Sequence, residues 1–293
     1  MSDNKNALSI LYLAIFLLAL NGLFSKVIPL DSVSITQIRS VIAAIALVVF
    51  AVIRKRAVKL RGLNQYLGIL IIGMILGLHW VSFYHSMQVS TVAIGMISLF
   101  TYPVITVVLE PFFNKSRIRV ADVVAGIFVM IGIFIMVIDD LNQFNNSSVQ
   151  GVLWGVLSAV LFSIRNLLQK YYYSSVSSDS LIMYQVLSIS FMLIVFIDYS
   201  SISKLDLQGW GLLILLGVVS TATAHSLLSY SLKHLEAKSV AMISCLQPLF
   251  ATFFAWLLLD EEPTVPIVIG GLIIISVALY ESIKKVSDNS VKS

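Results

Sequence analysis

Apolar runs of roughly 20 residues, long enough to cross about 30 Å of hydrocarbon, recur ten times in this 293-residue chain and leave little room for anything else. Their limits fall at ~8–27, ~32–53, ~65–87, ~91–113, ~118–138, ~151–170, ~180–199, ~208–231, ~238–259 and ~264–284. Hydrocarbon offers no water to an unpaired N–H or C=O, so only helices and closed barrels can span it. The alternating pattern of a barrel strand is absent, which leaves helices. The loops between runs are short, so successive helices are antiparallel neighbours and no soluble domain fits among them. The expectation is an all-α integral membrane protein of ten transmembrane helices. Composition agrees: 58% of the residues are apolar and 12% charged, with a mean hydropathy of +0.96. A water-soluble packing would leave much of that apolar surface uncovered.

The net charge of +4 does not describe a phosphate-binding face, because the basic residues sit in short loops beside the apolar runs. Nucleic acid is therefore no expected partner, whereas membrane lipid is. If the N-terminus is cytoplasmic, that side carries Arg54, Lys55, Arg56, Lys59, Arg61, Lys115, Arg117, Arg119, Lys170, Lys233, Lys238, Lys284, Lys285 and Lys292. The other side holds Lys26 and Lys204 with Asp139, Asp140, Asp260, Glu261 and Glu262. This bias places both termini in the cytoplasm. The run Ala7–Leu20 lacks a convincing cleavage site and reads as a retained first span. The single cysteine, Cys245, lies in an apolar run and reads as a packing residue, so there is no disulfide framework and no Cys-x-x-Cys metal site.

The chain also repeats itself. Leu78–Pro111 is an apolar run, a polar break at His85–Thr91, and a second run with Pro103 in mid-course. Later, Tyr84…Met96-Ile97-Ser98 recurs as Tyr230…Met242-Ile243-Ser244, and Pro103 as Pro248. Gln37 and Ser40 match Gln185 and Ser188, Leu23-Phe24-Ser25 matches Leu161-Phe162-Ser163, and Gly126 matches Gly271. Residues 8–138 and 151–284 thus read as two repeats of five helices. Five is odd, so the second copy enters the membrane from the opposite side. The basic loop Asn114–Arg119 then corresponds to the acidic loop Asp260–Pro263. Inverted repeats of this kind yield two related states, one open to each side, with a site between the copies.

Over essentially its whole length the chain resembles the EamA-type exporters of the drug/metabolite transporter superfamily, which have ten helices in two EamA repeats. The resemblance rests on Gln37-Ile38-Arg39, Ser90-Thr91-Val92-Ala93, Pro103 and Pro248 before apolar runs, Leu259-Asp260-Glu261-Glu262, and Gly126, Gly270 and Gly271. One departure is Asn114-Lys115-Ser116, where such repeats often carry a Gly-Glu pair. The resemblance implies export of amino acids or related small metabolites across the bacterial inner membrane, without naming the substrate.

Polar groups inside the runs are the candidate site, since an ionisable side chain at mid-span costs at least ~2.5–3.5 kcal/mol and should face a partner or a wet cavity. Arg39 reads either as a carboxylate receptor or, preferably, as an anchor to helix-end carbonyls or a snorkelling cation; Arg165 reads similarly. Gly73, Gly77, Trp80 and Tyr84 form one helical seam, with Tyr84 suited to an interfacial belt and Trp80 to a cavity. His79 and His85 lie off that seam and are badly spaced for a metal. Pro103 and Pro248 are candidate pivots, loosening the turns that hold Tyr102 and Gln247. Asn21 and Asn166 should face the interior. Glu110 and His225 are candidates for proton coupling, with ion pairing to Lys115 or Arg117 and a satisfied core histidine as the plainer alternatives.

No phosphate loop, HExxH or GxSxG motif is present, so neither ATP hydrolysis nor another enzyme activity has a foothold, and no cofactor is called for. The expected function is a secondary transporter working by alternating access on a small-molecule substrate, as monomer or homodimer. The competing expectations are a non-transporting sensor or assembly protein, and a lipid or nucleotide-sugar carrier. The latter would want more cavity cations than Arg39 and Arg165 supply.

Overall fold

The computed structural model describes residues 2–53, 60, 62–115, 120–136, 138, 146–234, 243, 244 and 246–290. Arg54, Lys55, Arg56, Lys59, Arg61, Arg117, Arg119, Asp139, Asp140, Lys238, Met242, Cys245 and Lys292, singled out in the sequence, lie outside them. Every regular element among the described residues is helical. In chain order these are α1 (Ser2–Ala19), α2 (Asn21–Val27), α3 (Ser32–Ile53), α4 (Leu63–Val89), α5 (Val92–Leu99), α6 (Tyr102–Asn114), α7 (Val120–Met136), α8 (Ser147–Tyr172) and α9 (Ser178–Leu193). They continue with α10 (Tyr199–Ile202), α11 (Leu207–Leu215), a π-helical segment (Leu216–Thr223), α12 (Ala224–His234), α13 (Gln247–Leu259) and α14 (Val265–Ser290).

Six segments are long and apolar enough to cross a membrane: Asn6–Val27, Ser32–Ile53, Leu63–Val89, Val92–Phe113, Ser147–Tyr172 and Leu207–Leu228. Four shorter apolar helices, Val123–Met136, Ser180–Leu193, Gln247–Leu259 and Val265–Val277, fall on the remaining runs. The chain is thus an all-α, multi-pass membrane protein. Its outer surface is apolar, as a lipid-facing surface must be: Ile53, Val120, Phe191 and Phe112 are all more than two-thirds exposed.

Several spans are not single helices. The first breaks at Leu20, where the Asn21 side-chain amide donates to the Leu18 carbonyl at 2.7 Å. The fourth breaks at Phe100–Thr101, where the Thr101 hydroxyl donates to the Ser98 carbonyl at 2.8 Å. Pro103 is therefore not in mid-helix. It stands in the first turn of α6, where a missing N–H costs nothing and its fixed φ favours the helix. Pro248 holds the same place in α13. Both helices have 13 residues and end on a left-handed residue, Lys115 at φ 56° and Asp260 at φ 54°. The eighth span carries the π-helical turn, in which the Thr221 hydroxyl donates to the Leu216 carbonyl at 2.9 Å. Nothing in the sequence announced it.

The seventh span ends at Leu193, earlier than expected, because Asp198 starts a new turn. Its carboxylate accepts from the Ser200 N–H at 3.0 Å, the Ser200 hydroxyl at 2.7 Å and the Ser201 hydroxyl. The hydrogen bonds from Ser201 and Ser200 hold Asp198 down at about 2.

Helices α4 and α8 pack along each other at the centre, α3 lies against α9 and the π-helical segment, α1 against α12, and α7 against α14. Ile35, Tyr84, Met87, Val92, Met96 and Ala251 form the middle of the main core. Gly73 lets α4 press on α9: a Cβ there would sit 2.9 Å from the Gln185 backbone. Gly217 likewise brings the π-helical segment onto α3, within 3.2 Å of the Arg39 carbonyl by the same measure.

Candidate functional site

A cavity of about 410 Å³ lies where these packed layers part. Its polar wall consists of Asn21, Arg39, His79, Arg165, Asn166, Gln169, His225, Ser244 and Gln247. Trp80, Phe83, Phe100, Tyr102 and Phe162 supply the aromatic wall, and Ile15, Leu18, Leu76, Leu99, Ile182 and Leu228 the aliphatic one. The breaks described above feed it directly. Asn21 opens α2, Phe100 and Tyr102 flank the interruption before α6, Gln247 opens α13, and His225 follows the π-helical turn. Irregular backbone at membrane depth is tolerated where it lines such a space.

Arg39 is 2% exposed. Its Nη1 donates to the Tyr84 hydroxyl at 2.9 Å and to Asn21 Oδ1 at 3.2 Å. The Tyr84 hydroxyl also donates to Asn21 Oδ1, at 2.9 Å. The guanidinium carbon lies 4.2 Å from the centre of the Trp80 ring and 5.2 Å from that of Tyr84. Its Nε is buried with no partner among the described residues. Arg165 faces the same space from α8. Its Nε and Nη2 donate to Gln185 Oε1 at 3.0 and 2.6 Å, and its Nη1 to Asn166 Oδ1 at 2.9 Å. His79 Nδ1 lies 2.7 Å from the Ser158 hydroxyl and 3.0 Å from its carbonyl, and the ring stacks on Phe162 at 4.7 Å. His225 has its ring 6.2 Å from that of Trp80 and makes no hydrogen bond among the described residues. No group of three His, Cys, Asp or Glu side chains that could hold a metal occurs among the described residues.

The structure gathers Asn21, Arg39, Trp80, Tyr102, Asn166, His225 and Gln247 around this cavity. Tyr84 is not on its wall and is not an interfacial residue: it is fully buried beneath Arg39. Arg39 neither snorkels nor binds helix-end carbonyls, because the Asn21 and Tyr84 side chains meet it first. The expected seam on α4 divides. Gly73 and Gly77 meet α9, while Leu76, His79, Trp80 and Phe83 face the cavity at helical spacing. His79, set aside in the sequence, is therefore a wall residue, and so are Arg165 and Gln169.

Glu110 lies away from the cavity and has a fixed partner. Lys170 Nζ sits 2.5 Å from its Oε1, and the Tyr171 hydroxyl donates to the same oxygen at 3.0 Å. A second ion pair joins Lys26 to Glu261 at 3.3 Å. Lys26 also donates to the Ser90 carbonyl at 2.6 Å, while Glu261 Oε2 accepts from the Val92 N–H at 2.8 Å, at the N-terminus of α5. Ser90 and Glu110 lie at opposite ends of the fourth span, so the two pairs lie at opposite ends of the bundle.

Comparisons with known proteins agree with this architecture. An uncharacterized transporter of Bacillus subtilis (strain 168), YxxF, is 24% identical over 180 residues, covering 61% of this chain and 58% of that protein. A second uncharacterized transporter of the same organism, YoaV, is 21% identical over 232 residues, covering 78% of each chain. A crystal structure matches 95% of this chain and 97% of its own with a TM-score of 0.63 at 15% identity, a likeness of fold alone. Residues 5–138 and 149–280 each match the EamA-like transporter family. The chain belongs to the EamA-like transporter family, within the drug/metabolite transporter superfamily.

Proposed function

We propose that this membrane transporter is a secondary carrier that exports small metabolites, amino acids or related compounds, across the bacterial inner membrane. It does so by alternating access between two inverted five-helix repeats, residues 8–138 and 151–284, with both termini in the cytoplasm. The observation that carries this reading is the cavity. It is the size of one small ligand, within the usual range of about 300–1,000 Å³, and polar groups from both halves converge on it: Asn21 and Arg39 from one, Arg165, Asn166, His225 and Gln247 from the other. A site between two repeats is where alternating access requires one. The matching breaks before Pro103 and Pro248 supply two symmetric places at which the spans can bend.

Purified protein in liposomes preloaded with one unlabelled metabolite should accumulate the same labelled compound by counterflow, without ATP. A sensor or assembly protein would show no counterflow with any of a broad panel of amino acids, their keto and hydroxy analogues, and amines. The proposed topology has its own test. A cysteine replacing Asn145 should react with an impermeant thiol reagent in intact cells, and labelling only after lysis would reverse the orientation.

A further inference from the structure

The two arginines of the cavity leave a charge unanswered. Arg39 and Arg165 both reach the same space, and every hydrogen-bond acceptor they meet is neutral: Asn21, Tyr84, Asn166 and Gln185. The ion pairs Lys26–Glu261 and Lys170–Glu110 lie at the ends of the bundle, and among the described residues no Asp or Glu lines the cavity. A lone cation in a span is costly, and two cations in one chamber repel each other as well. Arg39 also keeps a buried Nε with no partner among the described residues, although it is held on two aromatic rings. A guanidinium so placed presents a flat fork suited to a carboxylate. By contrast, none of the described wall residues offers a negative group to an ammonium. Beside the arginines the wall carries His79, Gln169, His225, Ser244 and Gln247, and an apolar and aromatic stretch that includes Leu76, Trp80, Phe83 and Phe162.

From this we infer that the cavity takes a small organic anion: one carboxylate on an apolar or aromatic body, with no ammonium group. The carboxylate lies between Arg39 and Arg165, neutralising the chamber, and the body occupies the aromatic wall. This narrows the proposed transport function to the deaminated relatives of the amino acids and sets the zwitterions themselves at a disadvantage. An ammonium brought into the chamber would lose its water, gain no carboxylate and face two cations. The 410 Å³ of space is ample for one such molecule.

The test uses matched compounds that differ only at the polar end: 3-phenylpropanoate, phenylalanine and 2-phenylethylamine, and the corresponding aliphatic set 4-methylpentanoate, leucine and 3-methylbutylamine. Binding to the purified full-length protein is read as a shift in Tm and by calorimetry, and counterflow is measured separately in liposomes. At least one carboxylate should bind at micromolar to millimolar concentration, at least tenfold more tightly than its zwitterion, and the amines should not bind. Arg165→Gln should weaken that binding tenfold or more, while Arg165→Lys, which keeps the charge but loses the fork, should lose less. If Arg165→Gln does not fold, the Lys variant and Arg39→Lys must still discriminate against the amine as the parent does. Equal or tighter binding of a zwitterion or an amine would overturn the anion assignment, as would failure of both carboxylates to bind. The transport reading falls separately: a carboxylate that binds but gives no counterflow leaves the anion site standing and removes the carrier.

Discussion

The two ends of the bundle are built from the same parts and held differently. At one end a lysine closing the first span, Lys26, meets a carboxylate just beyond α13, Glu261. At the other, a lysine near the end of α8, Lys170, meets a carboxylate near the end of α6, Glu110. In each case the first helix of one half is tied to the fourth of the other. The surroundings differ. The Lys26 and Glu261 side chains are 23% and 18% exposed, and both also bond the backbone around the start of α5. Gln88 adds two more bonds there, to the carbonyls of Ser25 at 3.2 Å and Leu30 at 2.9 Å. Lys170 is 54% exposed, and its contacts with Glu110 and the Tyr171 ring involve side chains alone. An ion pair anchored to backbone donors and acceptors holds helix ends in place. In the other pair Glu110 is 13% exposed but Lys170 is half in water, and an ion pair with one partner so exposed is worth little. The comparison thus implies one firm end and one easily released end.

The largest test of that difference is Glu261→Gln. It removes the charge that Lys26 and the Val92 N–H share, in a site screened little by water. Losing a charge-assisted partner of this kind should cost about 1–3 kcal/mol, visible as a clear fall in Tm. Lys170→Ala should cost only about 0–1 kcal/mol. Its effect should also vanish in 1 M salt, where the screening length is about 3 Å. Equal losses in the two variants would erase the distinction between the ends.

Glu110→Gln sharpens the same comparison and decides between two readings of that residue. If Glu110 is a latch, the variant should behave like Lys170→Ala, with a slightly lower Tm and an unchanged response to a pH gradient. If it carries a proton, gradient-driven transport should be lost while exchange without a gradient survives. The observed pairing with Lys170 and Tyr171 favours the first outcome.

The prolines should give a smaller effect. Because Pro103 and Pro248 begin helices, replacing either by Ala restores an N–H that the helix does not need, so stability should change by less than about 1 kcal/mol. If the preceding breaks bend during transport, each variant should slow turnover more than it alters substrate affinity. The two should act alike, since the helices match in length and in both terminal devices. Unchanged turnover in both variants, at normal expression, would show that the bends take no part.

Much of the cavity was legible because a polar residue in an apolar run has few places to go. Asn21, Arg39, Asn166, His225 and Gln247 were readable on that ground alone. The partners were not. The sequence offered Glu110 the nearby Lys115 and Arg117, of which Arg117 lies outside the described residues, and gave no sign of Lys170, a partner 60 residues away on another span. The face of α4 was ambiguous for a geometric reason: Gly77, Trp80 and Tyr84 share a helical stripe, and so do Leu76, Trp80 and Phe83. Only packing against α8 and α9 decides which one meets the cavity, and it decides for the stripe containing His79. The π-helical turn was invisible, because a single extra residue in a helix leaves no fixed residue pattern.

The smallest expected effect lies at the Lys26 end and separates its acid response from that of the ion pair. Asp198, in the link between α9 and α11, caps the short α10, and its own N–H donates to the Ser34 hydroxyl of α3 at 3.1 Å. Its pKa falls from 3.8 to about 2, so the cap contributes fully above about 4 and is lost as pH drops through 2. Asp198→Asn keeps an acceptor but removes the charge; Asp198→Ala removes both. Hydrogen exchange at Tyr199–Ile202 should therefore rise modestly in Asn and more in Ala at neutral pH. The difference between parent and Asn should stay constant down to about pH 4 and close as the parent's own carboxylate protonates. Because the group is exposed, global Tm should barely move. A large fall in Tm for Asp198→Asn at neutral pH would mean that the cap and the Lys26–Glu261 cluster act as one unit, and the firm end would then be wider than the ion pair that marks it.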